Sequence, residues 1–349
     1  MLVVVFDRME NNPDQSPDRK EDHISLAFRS ATGAGMLDDR FEYDPVNSVH
    51  PDPDSKWPVP IAGKQLDYPF WVSSMTGGTA RAGQINRNLA RLCGEYKLGM
   101  GLGSCRKLVE DASYRADFSV REWMGDQPLF ANLGVAQIEE WLSGGKSGHI
   151  REIMNITQAD GLIVHINPLQ ELMQPEGDRV HVKPLETIHR LLDTFDFRII
   201  AKEVGQGMGL TALQSLMALP LEAIEFGAFG GTNFSLLELL RDDPEKRERM
   251  MPLAKIGHTA EQMVRMVNRI SASETEIQTR TFIISGGVSD FMEAYYLMSL
   301  LRMPSACGMA SAFLKHALIS YESLQSFMED QIQGLMIARS YLSLKEENK

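Results

Sequence analysis

The stretch "GLIVHIN" at residues 161–167 runs apolar from Gly161 to Val164 and turns polar at His165 and Asn167. Side chains alternate along a strand, so Leu162, Val164 and Ile166 share one face while Ile163, His165 and Asn167 share the other. Similar short apolar runs lie on either side. They are "PFWVSSM" from Pro69, "KLGMGLG" from Lys97, "PLFANLG" from Pro128, "RIIAKEV" from Arg198, "AIEFGA" from Ala223, "TFIISGG" from Thr281 and "SACGMA" from Ser305. Start-to-start intervals of 28, 31, 33, 37, 25, 58 and 24 residues are mostly the length of a strand, a helix and two loops. Eight such units predict an α/β fold of the (β/α)₈ barrel type. An open doubly wound sheet is the weaker alternative, since no GxGxxG opens the first helix. Between runs the pattern turns helical, as in "TARAGQINRNLARLCGEY" at 79–96, where Ile85, Leu89 and Leu92 recur at three- and four-residue spacing.

The 349 residues are read as a single barrel domain, 1–349. Residues 1–68, rich in Pro, Asp and Asn, form an N-terminal arm and loops, with "LVVVF" at 2–6 as an added strand; barrel strands run from about 69 to 310. The 58-residue interval leaves room for an insertion between strands 6 and 7 around "RDDPEKRERMMP", and a last helix starts near Ala312. No apolar run approaches a membrane span, so a soluble, cytoplasmic protein is expected. Cys93, Cys105 and Cys307 have neither disulfide nor zinc spacing. A net charge of −12 disfavours nucleic acid and anionic membranes as partners, because both require a concentrated positive field.

In a barrel, inward residues at the ends of strands face the mouth, where catalytic groups sit. His165 and Asn167 take that position, and so does Lys202 in "RIIAKEV", where a cation inside an apolar strand calls for an anion. "SGGVSD" (285–290) and "CGMASAF" (307–313) join the last two strands to their helices with small residues, where barrels often hold phosphate on backbone N–H groups. With "SSMTGGT" (73–79) and "GAFGGTNF" (227–234) they would enclose a flat phosphorylated cofactor, FMN, with Met75 against its ring.

"RKEDHI" (19–24), "SMTGG" (74–78), "GLGSCR" (101–106), "HINPLQELMQPEGD" (165–178), "KEVGQG" (202–207) and "GGT" (230–232) together resemble the type 2 isopentenyl-diphosphate isomerases, over most of residues 19–315. The resemblance implies an FMN barrel interconverting isopentenyl and dimethylallyl diphosphate, dependent on Mg²⁺ and on flavin reduced by NAD(P)H, and assembled as a homotetramer or homo-octamer. It implies that Ser74, Met75, Thr76, Ser104, Asn132, Lys202 and Thr232 contact FMN, and that Gly286, Gly287, Ala310 and Ser311 cradle its phosphate. Arg19, Lys20, Ser104, Arg106 and Gln170 would face substrate and Glu171 would ligate Mg²⁺. Gln170 would position or relay the proton, with His165 and Asn167 orienting the site. Cys105 stands where the family has Gln, Phe234 where it has Trp, and no Arg follows Gly286 and Gly287, which leaves the Ser289 hydroxyl and backbone N–H groups to meet the phosphate. Two other functions fit parts of the pattern. An FMN barrel oxidising a hydroxy acid would need an Arg near the late strands, and a non-catalytic phosphate-ligand sensor has no need of His165, Gln170, Glu171 and Lys202 together.

Overall fold

The computed structural model describes residues 19–74, 80–273 and 276–346, and of Arg19, Lys20, Glu21, Ala80 and Arg81 the backbone alone. Residues up to Phe41 and those from Glu42 onward form two compact units. The first contains the helix Arg19–Leu26. "LVVVF" lies outside the described residues.

The second unit is the barrel that the sequence predicts. Its strands are β1 (Phe70–Val72), β2 (Gly99–Gly101), β3 (Leu129–Gly134), β4 (Gly161–Ile166), β5 (Arg198–Glu203), β6 (Ala223–Glu225), β7 (Phe282–Ser285) and β8 (Ser305–Met309). Each pairs in parallel with its neighbours in chain order, and β8 closes on β1 through Cys307 opposite Phe70. The predicted helix after β1 spans Ala80–Tyr96, with Ile85, Leu89 and Leu92 buried on its barrel face.

Alternation divides the interior into an apolar floor and a polar mouth. Trp71, Phe130, Ile163, Ile200 and Ile283 fill the lower layer. An antiparallel hairpin, Val59–Ile61 with Lys64–Leu66, packs Ile61 and Leu66 against that layer and plugs the barrel from below. Side-chain contacts pin it there: Ala62 N donates to Glu222 Oε1 at 2.6 Å, and Lys64 pairs with Asp160 at 2.6 Å. Two residues up each strand the set turns polar. His165 lies opposite Lys202 in register, and Lys202 opposite Glu225.

The long interval between β6 and β7 holds three helices. Phe234–Arg241 and Pro244–Ala254, capped by Asn233 and Asp243, pack with the short helix Pro168–Met173 around Met173, Leu239 and Ala254. The third, Ala260–Ser271, has its apolar face buried and starts from a capping box of Thr259 and Gln262. The single last helix expected from Ala312 is two, Ser311–Ala317 and Tyr321–Tyr341. The Ser320 hydroxyl accepts the backbone N–H of Ser323 at 3.1 Å and starts the second as a new helix. No helix among the described residues is long and apolar enough to cross a membrane. The three cysteines are free and buried.

Candidate active site

Two adjoining cavities open where the strands end, with about 490 Å³ and about 470 Å³ of empty space, and they share Ser74, Lys202, Val204 and Phe234 in their walls. The first is bounded by the loops after β6, β7 and β8, including Gly231, Thr232, Gly286, Gly287, Ala310 and Ser311. Gly286 has φ +90°, and a Cβ there would meet Ala228 O at 2.1 Å. Only glycine therefore lets the β7 loop lie against the β6 loop, leaving bare backbone around the space.

The second cavity gathers Ser104, Asn132, His165, Gln170 and Lys202. Asn132 Nδ2 donates to Leu102 O at 3.0 Å, which leaves its Oδ1 as acceptor for His165 Nδ1 at 2.8 Å. The imidazole proton accordingly sits on Nδ1, and Nε2 carries the free lone pair. Burial, reinforced by the Lys202 cation, pushes the pKa of His165 down to about 3, so the ring is neutral. Lys202 is itself buried and donates to Glu203 O at 2.9 Å. One oxygen of Glu203 accepts the backbone N–H groups of Gly205, Gln206 and Gly207, which fixes the "KEVGQG" turn over the site.

The opening of the helix Pro168–Met173 carries Gln170 and Glu171 into different surroundings. Gln170 is clamped, its Oε1 accepting from Asn167 at 3.2 Å and its Nε2 donating to Glu238 at 3.3 Å. Glu171 accepts from Asn167 Nδ2 at 2.7 Å and from the backbone N–H of Asp178 at 2.7 Å. Asp178 in turn holds Arg106 at 2.7 Å, and Glu110 holds the same guanidinium at 2.8 Å. Asn167, Glu171 and Arg106 thus form a rim beside the second cavity and do not line either one.

Met75 and Thr76 lie outside the described residues, and Arg19 and Lys20 belong to the separate N-terminal unit. Ser289 is exposed, and its hydroxyl donates to Asp290, the cap of the helix Phe291–Leu300. Three groups absent from the sequence-predicted set are Glu225, Glu238 and Val204. Glu225 was findable by alternation, because "AIEFGA" places it two residues above the inward Ala223. Glu238 carried no such signal.

A parallel eight-stranded barrel with a polar cavity at its C-terminal mouth defines the class of α/β barrel that builds its site from strand ends and their loops. Solved structures of that architecture superpose on the chain, among them a mandelate oxidase (TM-score 0.54, 11% identity, 88% of each chain) and flavocytochrome b2 (TM-score 0.57, 12% identity, 87% of this chain and 75% of that one). No family model matches. Curated relatives are more specific: isopentenyl-diphosphate delta-isomerases of Nostoc sp. (33% identical over 322 residues, 90% of this chain and 88% of the relative) and Rickettsia akari (31% over 346 residues, 95% and 97%). The chain belongs to the isopentenyl-diphosphate delta-isomerase family.

Proposed function

We propose that the chain interconverts isopentenyl diphosphate and dimethylallyl diphosphate at this mouth, with reduced FMN in the first cavity and Mg²⁺ on the rim. The observation that carries this reading is the junction of a glycine-lined cavity with a second one holding Lys202, neutral His165 and clamped Gln170.

The residues present fit both groups. The bare backbone of the β6, β7 and β8 loops suits a phosphate, and the buried hydroxyl of Ser74 in the cavity wall has no hydrogen-bond partner among the described residues. Glu171 keeps lone pairs beyond its two hydrogen bonds. A single carboxylate is enough for Mg²⁺ when diphosphate oxygens and water complete the shell. Reduced FMN held here would supply an electron-rich ring to stabilise the developing charge, with no net redox change over the cycle.

The reaction adds a proton at the terminal CH₂ carbon of isopentenyl diphosphate and removes one from the CH₂ directly bonded to the oxygen-bearing carbon. Positive charge develops at the branched carbon between them. His165 stays uncharged and so adds no repulsion, and its proton remains on Nδ1 against Asn132. Gln170, fixed at both ends of its amide, holds the reacting carbons and the proton donor in line. Val204 and Phe234, common to both cavities, provide the apolar wall that keeps water from the cation. Arg106 grips the diphosphate once it leaves Asp178. NAD(P)H serves as the source of reducing equivalents, and a homotetramer or homo-octamer is the working assembly.

The test is isomerisation measured anaerobically with the flavin reduced and again after reoxidation in air. Activity in the reduced state alone, without stoichiometric NAD(P)H consumption, is expected. Equal activity in the oxidised enzyme would falsify the flavin mechanism, and isomerisation by protein that binds no flavin would remove FMN from it altogether.

A further inference from the structure

Glu225 ends β6 on its inward face, 0% exposed; burial pushes its pKa up, and neither carboxylate oxygen makes a well-formed hydrogen bond, the Lys202 cation and the hydroxyls of Ser73 and Ser285 giving it only partial relief. Leaving such a group unmet is among the costlier things a core can do. Lys202, its neighbour in register, relieves it only in part, by attraction at a distance. No ion pair joins the two, and the Lys202 ammonium donates instead to Glu203 O. Gly308 lets Ser73 and Ser285 pack closely beside Glu225, since a Cβ on it would lie 2.5 Å from Ser73 Oγ and 2.8 Å from Ser285 Cβ. Ser73 Oγ is buried there beside the carboxylate. Groups from β6, β8 and the end of β1 therefore converge on one opening in the first cavity, with the glycine loops bounding its far end and Lys202 lying where it meets the second.

We infer that Glu225 and Ser73 form a binding site for the hydroxyl groups of a sugar-alcohol chain, the link between the phosphate and the ring of the bound flavin. The inference rests on the FMN reading and adds a polyol subsite to it. Hydroxyls are donors and acceptors at once, so they satisfy a carboxylate and a serine hydroxyl together, where a purely apolar linker would leave both stranded. Glu225 is the acceptor that fixes the chain, and Gly308 lets the Ser73 hydroxyl sit beside it.

The experiment compares dissociation constants, from flavin fluorescence, of FMN and of the analogue with a plain phosphopentyl chain on N10, which keeps ring and phosphate and lacks the chain hydroxyls. Wild-type protein is expected to prefer FMN by roughly tenfold to a hundredfold, the range of one or two hydrogen bonds to a charged group. Glu225→Gln, which keeps the shape, and Glu225→Ala should bind FMN more weakly while losing little affinity for the analogue, so that the preference shrinks. A preference unchanged in Glu225→Gln, with both flavins weakened alike, would make Glu225 merely a counter-charge for Lys202 and overturn the inference. Equal affinities in the wild type would overturn it without any variant. Should the wild type bind neither flavin, the FMN reading itself fails, an outcome distinct from FMN binding without discrimination.

Discussion

Gln170 and Glu171 are adjacent in sequence, but their hydrogen bonds give them different work. Glu171 has each oxygen held by one hydrogen bond of 2.7 Å, with lone pairs to spare, so Glu171→Gln removes the charge that holds Mg²⁺ and keeps the shape. Added Mg²⁺ should partly restore that variant, because binding is rescued by mass action. Gln170 is clamped between Asn167 and Glu238, and Gln170→Asn withdraws the amide by one methylene. Its kcat should fall on the order of a hundredfold with the Mg²⁺ dependence unchanged. A Mg²⁺ titration of both variants, with reduced flavin and saturating isopentenyl diphosphate, separates them. A normal Mg²⁺ curve for Glu171→Gln or full activity for Gln170→Asn would reverse the assignment. His165 supplies a test that does not depend on turnover. Its pKa lies near 3 in the folded chain against about 6.5 unfolded, so between those values the unfolded state binds the extra proton. Its contribution to stability is therefore complete above pH 6.5 and is lost as pH falls toward 3. His165→Asn should flatten the pH dependence of the melting temperature in that window. A slope identical to the wild type would mean that the ring is not held neutral.

At the level of elements, the eight strands were legible because each is a short apolar run with the same spacing, and because alternation alone turns Ile163, Ile200 and Lys202 inward. That rule extends to Glu225 and gives Lys202 a buried carboxylate for a neighbour. It cannot reach Glu238, which is placed by the packing of Phe234–Arg241 on Pro168–Met173, a contact between segments far apart in sequence. The same limit hid the coupling of Arg106 to Glu171 through Asp178, since it depends on how the "QPEGD" loop folds back. The break between the last two helices was missed for a local reason, as a single serine cap outweighs a helical pattern on both sides. The hairpin below the barrel offers the element-scale prediction. Leu66 is wholly buried against the floor layer, with the cavities at the opposite end of the strands. Leu66→Ala should cost about 2–5 kcal/mol by denaturant unfolding, while kcat at a temperature where the variant is folded stays near the wild-type value. A matching loss of kcat would show that the floor and the mouth are mechanically coupled.

Across the molecule, cohesion and chemistry occupy opposite ends of the same strands. The floor is closed by large apolar side chains, whereas the mouth buries Lys202 and Glu225 without an ion pair between them and leaves Ser74 unmet among the described residues. Buried charges without good partners destabilise a fold unless a ligand satisfies them, so in the flavin-free protein this layer should be a net cost. Replacing both charges, in Lys202→Met combined with Glu225→Gln, is expected to stabilise the apoprotein by about 1–4 kcal/mol, a rise on the order of a few degrees in melting temperature. Ligand linkage makes the opposite demand. FMN at a hundred times its dissociation constant should raise the wild-type melting point by the equivalent of about 2.7 kcal/mol, and the double variant, stripped of its cation and its acceptor, should gain far less. Thermal melts of both proteins with and without FMN test the two halves together. If the double variant melts below the wild-type apoprotein, the polar layer is holding the barrel closed. If it melts higher and no longer responds to FMN, those side chains are retained for the ligand at the expense of the fold.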